Sequence, residues 1–325
     1  MEILDKKDEN LLELLYLDSR MSNSQLAKKL AVSKDTVNNK IKKFLEKEII
    51  SAFTCNVNLE KLGFNTFTVL FKFNEDLSKN AEISDYFKNH PFCMWAVTIS
   101  GEYDILAEFI AEGFFSMEKI ILQIREYFGE RLNFYEIDIF AKMVRINHLI
   151  KDLNKNNLEK GKSFSKPDTK NIKLDQLDKK IIYELTKDSN ISLIELAERV
   201  DSTWDVVRYR MKSLENNLII RKYHPMLNYK KLGYMPFIGK ITFQNISKLG
   251  FDAVEDLIKN NENITYAFTS ANSLSIVFNC IYKSIDELDS FLKRIQEKFK
   301  GKIKDMKYYI QRDQIKFTPF PNGLL

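Results

Sequence analysis

Several features that would place this sequence in a special class of protein are scarce or absent. Its 325 residues include only three cysteines, far apart and without a Cys-x-x-Cys pair: Cys55, Cys93 and Cys280. Neither a disulfide framework nor a zinc site is indicated, and we expect three buried, reduced thiols. The three histidines are scattered, and no nucleophile motif, phosphate-binding glycine loop or metal-ligand cluster is present. We therefore expect no enzyme activity, no metal and no cofactor.

Long apolar runs are also missing. The longest, around Ile120 and Ile276, fall far short of the roughly 20 residues that a bilayer-spanning helix needs. The opening residues, MEILD, are acidic and unlike a signal peptide. We therefore expect a cytoplasmic protein with no membrane partner. A hydrophobic fraction of 44% and a charged fraction of 29% are typical of a soluble globular chain.

The charge is unevenly distributed along the chain. A net charge of +5 is too small to indicate nucleic acid by itself. Residues 28–47, however, hold seven lysines against only Asp35 and Glu46, whereas the first twenty residues are predominantly acidic. One segment near the start of the chain is therefore a basic face.

The chain also repeats itself. A shift of 170 positions aligns Leu26-Ala27 with Leu196-Ala197, and residues 61–63 with residues 231–233, without a gap. A period this long, present only twice, indicates a duplication and not a solenoid. Between the copies, residues 149–172 are rich in Lys and Asn and poor in large apolar residues, which predicts a basic linker. Its lysines either lie near phosphate or simply confer solubility.

Each copy begins with the pattern of a helix-turn-helix. Acidic pairs cap a first helix, Ser-x-x-Gln and Ser-x-x-Glu capping boxes begin a second, and Ser33 and Thr203 can cap a third. Two short helices this close together predict a helix-turn-helix. The β-prone residues 50–57 and 220–227 follow as a wing or a linking strand.

The remainder of each copy predicts strands and helices in the order βαββαβ. The fold class is therefore α+β, with two winged helix-turn-helix domains alternating with two ferredoxin-like sandwich domains. The free face of each sheet must be covered, usually by an identical or fused neighbour. The predicted boundaries are 1–60 and 61–148 for the first copy, 149–172 for the linker, 173–232 and 233–318 for the second copy, and 319–325 for a tail.

Several motifs, in the same order as in a known family, carry a specific resemblance. They are Asp5-x-x-Asp8, Leu26-Ala27-Lys28-Lys29-Leu30 and Ser100-Gly101-Glu102-Tyr103-Asp104. Together they resemble the leucine-responsive regulator/asparagine-synthetase regulator (Lrp/AsnC) family, here in a tandem duplicated form. The resemblance implies a DNA-binding winged helix, joined by a strand to a sandwich domain that dimerises through its sheet and often senses amino acids.

The chain departs from that family at two places. The usual glycine between helices two and three is Ala31 in one copy and Asp201 in the other. Because alanine tolerates a left-handed conformation poorly, we expect the first turn to differ in detail. The glycine-containing loop of the first sandwich domain becomes residues 270–274, SANSL, in the second, so only the first effector loop is expected to be intact.

The third helix of each copy supplies the candidate DNA-binding residues. Residues at its start reach base edges, and basic groups further along neutralise phosphates. The first copy offers Ser33, Lys34, Thr36 and Asn39 to the grooves, and Lys40, Lys42 and Lys43 to the backbone. Asn38 also lies outside the apolar stripe and can face a duplex. The second offers Thr203, Trp204, Arg208, Tyr209, Arg210 and Lys212, with Arg221 and Lys222 on the wing. The alternative is a solvated helix face, and Trp204 could instead pack on a neighbouring domain.

The loop Ser100, Gly101, Glu102, Tyr103 and Asp104 is the candidate effector site, for a small molecule such as an amino acid. The alternative is an ordinary hairpin turn that needs glycine for positive φ.

The predicted function is a sequence-specific transcriptional regulator that binds double-stranded DNA as a fused pseudo-dimer and forms homo-oligomers. Two alternatives remain open. One is an enzyme resembling the siroheme decarboxylases of the same family, and the other is a regulator that uses one winged helix for protein contacts.

Overall fold

A computed structural model describes residues 4–75, 81–149, 151–153 and 172–325. Residue 150 and residues 154–171 of the predicted linker therefore lie outside the described residues. In the first copy the elements are α1 (Lys6–Leu17), α2 (Asn23–Leu30), α3 (Lys34–Glu46), β1 (Ile50–Val57), β2 (Asn65–Phe73), α4 (Ala81–Asn89), β3 (Cys93–Ser100), β4 (Ile105–Ala111), α5 (Phe114–Phe128) and β5 (Leu132–Ile146).

The second copy repeats this order. Its elements are α6 (Gln176–Lys187), α7 (Leu193–Arg199), α8 (Trp204–Asn216), β6 (Ile220–Leu227), β7 (Met235–Phe243), α9 (Lys248–Lys259), β8 (Ile264–Ser270), β9 (Ser275–Tyr282), α10 (Ile285–Lys298) and β10 (Ile303–Phe317). We call α1–α3 the first head and α6–α8 the second head.

Local capping explains where most of the helices in the heads begin. The Asp5 side chain accepts from the backbone N–H of Asp8 at 2.6 Å, and the Asp8 side chain accepts from the N–H of Asp5 at 3.1 Å. Ser33 caps α3 by accepting from the N–H of Thr36 at 3.1 Å. Thr203, contrary to expectation, makes no side-chain capping bond at the start of α8.

The turn between the second and third helices has the same conformation in both heads. Ala31 has φ +51° and Asp201 has φ +56°, so both residues are left-handed. The expectation that the first turn would differ is therefore wrong. Tertiary packing of the two helices holds Ala31 in a conformation that alanine alone disfavours.

The two heads are joined by the strands that follow them. β1 and β6 do not form wings; they pair antiparallel with each other, with Thr54 opposite His224. Of the two alternatives, the structure supports the linking strand, because each strand finds its partner in the other copy. Arg20 reinforces the junction by donating to the carbonyl oxygens of Ser189 and Ile191.

The two ferredoxin-like halves close into one barrel. The first half has strand order β5-β2-β4-β3 and the second has β10-β7-β9-β8. The halves join edge to edge, β3 with β10 and β5 with β8, so that all eight strands form a closed sheet. The 15-residue strands β5 and β10 make this closure, because each pairs within its own half and then continues along the other.

Helices α4, α5, α9 and α10 cover the outside of the barrel, and side chains fill its inside. One inner cluster contains Leu70, Trp95, Leu106, Ile238 and Tyr309, drawn from both copies. Beside it, the Lys240 ammonium lies 2.5 Å from a Glu136 oxygen and 2.8 Å from an Asp138 oxygen. The interior therefore combines an apolar core with a buried ionic group that links the two halves.

A short strap follows each half of the barrel and returns to a head. After β5, Leu149 and Leu153 pack into the core of the first head. After β10, Phe320 and Leu324 pack into the core of the second head. We call residues 147–149 and 151–153 the first strap and residues 318–325 the second strap. The predicted tail, residues 319–325, therefore corresponds in the second copy to the first strap, because each packs into the head of its own copy.

Glu108 is a buried carboxyl group on the inner face of β4. It is 6% exposed and lies opposite Thr68, whose hydroxyl is buried without a hydrogen-bond partner. Burial raises the pKa of Glu108 from its ordinary value of 4.5 to about 7. The folded protein therefore holds this proton more tightly than the unfolded chain does. The cost of ionising Glu108 is absent well below pH 4.5, grows between pH 4.5 and 7, and is constant above pH 7.

We predict that Glu108→Gln stabilises the protein at pH 8 by up to about 3 kcal/mol, since glutamine carries no charge to bury. The gain should disappear near pH 4. Urea unfolding at both values of pH measures it, with Glu118→Gln on the exposed face of α5 as the control. An equal effect of Glu108→Gln at pH 4 and pH 8 would contradict the prediction.

Candidate nucleic-acid interface

The outward face of α3 presents most of the residues predicted to meet DNA. Ser33, Lys34, Asn38, Asn39 and Lys42 are exposed, while the apolar side packs into the head through Val37 and Phe44. Thr36 is half-buried, and its hydroxyl lies 2.9 Å from that of Ser33. Lys34 and Asn39 have no side-chain partner among the described residues. Their donors are available to a ligand that approaches this face.

Other members of the set have neighbours within the first head. Asn38 accepts a hydrogen bond from the Asn23 side chain. Lys42 lies 3.7 Å from Glu46 in an exposed pair, which is worth little in water. Lys43 is half-buried and has an interaction within the protein. Only part of the predicted face therefore points freely outward.

Lys40 does not fit the phosphate-contact role that its position suggested. Its ammonium lies 2.6 Å from Asp8 and 3.0 Å from Asp5, and its side chain is only 18% exposed. Burial alone would lower the pKa of Lys40, but hydrogen bonds to Asp8 and Asp5 more than offset this and hold the pKa above its ordinary value. The residue ties α3 to the start of α1, and this replaces the phosphate assignment.

The second head repeats this ion pair. Arg210 lies 2.8 Å from Asp175 and 3.4 Å from Asp178, at the positions equivalent to Lys40, Asp5 and Asp8. Arg210 therefore also leaves the predicted DNA-binding set. In both heads, a cation on the third helix is held by the acidic start of the first helix.

The exposed face of α8 has a different chemistry from that of α3. Trp204 is 47% exposed and Tyr209 is 73% exposed. The Arg208 guanidinium lies 5.1 Å from the centre of the Trp204 ring and 3.4 Å from an Asp205 oxygen. Thr203 and Lys212 are also exposed. This face offers aromatic surface and few free cations.

The two residues assigned to the second wing lie instead in the junction between the heads. Arg221 and Lys222 are half-buried in β6. The Lys222 ammonium lies 3.6 Å from the centre of the Tyr16 ring, in the first head. Burial lowers the pKa of Arg221. Because β6 pairs with β1, neither side chain extends toward a duplex as a wing residue would.

The predicted effector loop has its polar groups engaged within the protein. Asp104 lies 2.9 Å from the Lys72 ammonium and accepts from the N–H of Phe73 at 2.8 Å. Tyr103 is buried and donates to Glu136 at 2.7 Å. Glu102 lies 2.8 Å from Lys307 of the other half.

The remaining residues of this loop also take part in the turn and the barrel seam. Ser100 pairs with Ile310 across the seam between the halves. Gly101 has φ +132°, and a Cβ atom there would lie 3.3 Å from Tyr309. The loop therefore has the features of the hairpin-turn alternative, with no free carboxylate left for an amine.

Two histidines that looked unrelated in the sequence come together. The rings of His148 and His224 stack with their centres 5.9 Å apart, beside Tyr16, at the junction of the heads and the barrel. Burial lowers the pKa of His148 to about 3 and that of His224 to about 4, so both are neutral near pH 7. No local pattern signals this pair, since it depends on β6 crossing to β1.

Two helix-turn-helix units, each with an outward third helix, define a DNA-binding class of protein. A family model described as winged helix-turn-helix DNA-binding matches residues 4–51 and again residues 174–221. Within the described ranges, no helix has the length and apolar character needed to cross a membrane.

The chain belongs to the Lrp/AsnC family of HTH-type transcriptional regulators, in a tandem duplicated form. It is 40% identical over 108 residues to an uncharacterised HTH-type transcriptional regulator of Pyrococcus furiosus, covering 33% of this chain and 70% of the relative. It is 30% identical over 105 residues to the regulator LrpA of Pyrococcus horikoshii, covering 32% of this chain and 74% of that one.

A solved structure shares the fold along almost the whole length. The siroheme decarboxylase NirDL superposes with a TM-score of 0.64 over 98% of this chain and 96% of its own, at 12% sequence identity. At that identity the likeness concerns the fold alone.

We predict that Lys34→Ala with Lys42→Ala weakens DNA binding, and that loss of the phosphate contact of Lys42 lowers the slope of log K against log salt by ~0.9. Lys40→Met should leave the slope unchanged while lowering stability, because Lys40 is paired inside the head. Fluorescence anisotropy at several salt concentrations measures both.

The control is Lys248→Ala with Lys304→Ala, which removes the same charge from exposed positions in the second half of the chain. A slope that falls for Lys40→Met and stays constant for the Lys34/Lys42 variant would show that the cation of the ion pair is the one that meets DNA.

Proposed function

We propose that this protein is a sequence-specific DNA-binding regulator in which one chain acts as a pseudo-dimer with two unlike heads. The observation that carries the proposal is the antiparallel pairing of β1 with β6, which links the first and second heads within one chain. A dimer of identical chains would present two identical reading helices. Here the same two positions are filled by α3 and α8, which have different sequences.

The first head is proposed as the main reading head. Lys34 and Asn39 are exposed near the start of α3, where helix-turn-helix proteins contact base edges. An asparagine can bond adenine in the major groove, and a lysine can bond guanine. Ser33 and Thr36 stand beside them at the helix start, and Lys42 lies further along for phosphate.

The second head is proposed to read a different sequence. Position by position, Lys34 is replaced by Trp204, Asn38 by Arg208, and Asn39 by Tyr209. An aromatic ring can contact a thymine methyl group but cannot reproduce the donors of lysine and asparagine. The exposed Trp204 and Tyr209 also suit the alternative in which this head binds a protein partner.

The barrel needs no second chain to close its sheet edges. A homo-oligomer would therefore assemble through outer surfaces, and Phe114 and Phe115, which are 67% and 83% exposed at the start of α5, are our proposed contacts. We also propose that the chain is not an enzyme. A decarboxylase-like protein should change the visible spectrum of an added iron porphyrin, and we expect no change here.

We predict that selection from random DNA with the full chain yields a site with two dissimilar halves. Lys34→Ala with Asn39→Ala should remove the information in one half, and Arg208→Ala with Tyr209→Ala should remove it in the other, at about 1–3 kcal/mol for each good base contact. Sequencing of the selected DNA measures both. Whole chains are required because a single copy would expose both barrel seams.

Each outcome of this selection separates the alternatives. A palindromic site that both variants weaken equally would refute the unlike heads. A site unaffected by the second-head variant would favour the protein-docking role for Trp204. No enrichment of any sequence would refute specific DNA binding, and Lys248→Ala with Lys304→Ala controls for the general loss of charge.

A further inference from the structure

A pocket between the first strap and the second half of the barrel takes no part in the roles described above. Its volume is about 650 Å³, which is in the range of small-molecule sites. Asp152 of the first strap and Tyr234, just before β7, form one side. Lys283, Lys293 and Arg294, on α10 and the turn before it, also line the pocket. The pocket therefore lies where the strap from the first head meets the barrel.

The cations of this pocket are less completely paired than its carboxylates. Asp152 accepts from the Tyr234 hydroxyl at 2.5 Å and from the Lys283 ammonium at 2.9 Å. Glu287 accepts from the backbone N–H of Lys283 at 3.0 Å. Lys293 and Arg294 have no carboxylate partner in the part of the chain that the structure describes.

Glu297 is the third carboxylate of the pocket and also lacks a donor among the described residues. Glu287 has a backbone donor but no cation partner among the described residues, so two cations and two carboxylates of the pocket lie outside an ion pair. Lys283 adds further N–H donors beyond the one given to Asp152, since an ammonium carries three. Together, Lys283, Lys293 and Arg294 offer more open N–H donors than the carboxylates offer open oxygens, which favours an anion.

The first copy lacks these cations at the equivalent positions. Aligning α5 with α10 by their buried faces places Met117 on Leu288 and Ile124 on Ile295. Lys283, Lys293 and Arg294 then correspond to Glu112, Leu122 and Gln123. The same fold is built without the cations, so the barrel does not require them.

We propose that this pocket binds a small anion with carboxylate or phosphate groups, held by Lys293, Arg294 and Lys283. The Arg294 guanidinium can form two parallel hydrogen bonds to either group, and the lysines neutralise the remaining charge. Tyr234 and Tyr282 also line the pocket and supply ring surface.

The position of Asp152 gives the anion a way to act on the first head; this part rests on the proposed DNA-binding function. An anion that draws Lys283 toward itself competes with Asp152. Asp152 belongs to the strap whose Leu149 and Leu153 pack into the first head. Binding therefore changes how firmly that head is held, and by linkage DNA binding changes the affinity for the anion.

Isothermal titration calorimetry of the full chain, at low salt, tests the site with citrate and with inorganic pyrophosphate as probes. Citrate binding alone indicates a carboxylate ligand, pyrophosphate binding alone a phosphate ligand, and binding of both an anion site of either kind. Lys293→Ala with Arg294→Ala should raise the dissociation constant at least about tenfold, because hydrogen bonds to charged groups are lost.

The control variant is Lys119→Ala with Arg125→Ala, which removes the same charge from exposed positions on α5. Its dissociation constant should equal that of the unaltered chain. Equal weakening of both variants, or no binding of either probe, would overturn the site.

DNA binding is measured separately, by anisotropy with and without the probe that binds. An affinity for DNA that changes on addition of the probe supports the regulatory role, and an unchanged affinity overturns that role while leaving the site. If the anion binds and DNA does not, the site stands and the proposed function fails. If DNA binds and neither anion does, the pocket alone fails.

Discussion

The structure depends on the need to pair every edge of its β-sheets. Each ferredoxin-like half has two edge strands, whose free N–H and C=O groups would otherwise pair with another chain. β5 and β10 continue beyond their own halves and close both seams, so neither half is complete without the other. The same constraint joins β1 to β6 and brings the heads together. Fusion of the two copies makes this pairing intramolecular and independent of protein concentration.

Fusion also permits contacts that a symmetric dimer cannot make. In a two-fold interface, each residue must serve on both sides. Lys240 instead meets Glu136 and Asp138 of the other copy, while its own counterpart, Leu70, lies in the apolar inner cluster. One half supplies the cation and the other supplies the carboxylates. The barrel interior has therefore become asymmetric while the backbone has remained symmetric.

The two heads likewise combine a shared backbone with side chains that differ between the copies. The acidic start of the first helix holds Lys40 in one head and Arg210 in the other, because this ion pair orients the third helix within the domain. The outward positions are not constrained by such packing. At these positions, lysine and asparagine in the first head correspond to tryptophan and tyrosine in the second. Residues that build the domain stay alike, and the outward residues that we propose to meet a partner diverge. The pocket beside the first strap follows this pattern, since only one copy carries its cations.

The sequence by itself determined the features that rest on local spacing. Helix starts at Asp5, Ser22 and Ser33, the helix-turn-helix, the βαββαβ order and the duplication were all predictable, since capping and periodicity act over a few residues. The lysine-rich face of the first head was also apparent. These patterns were sufficient to predict the family.

Only the tertiary structure decided what each segment contacts. No local pattern could show that β1 pairs with β6, that Lys40 forms an ion pair with Asp8, or that Asp104 forms one with Lys72. Segments far apart in the chain likewise bring His148 beside His224 and place Asp152 of the first strap beside Lys283. Spacing along a sequence shows which side of an element faces inward, but the partner on that side is selected by packing among distant segments.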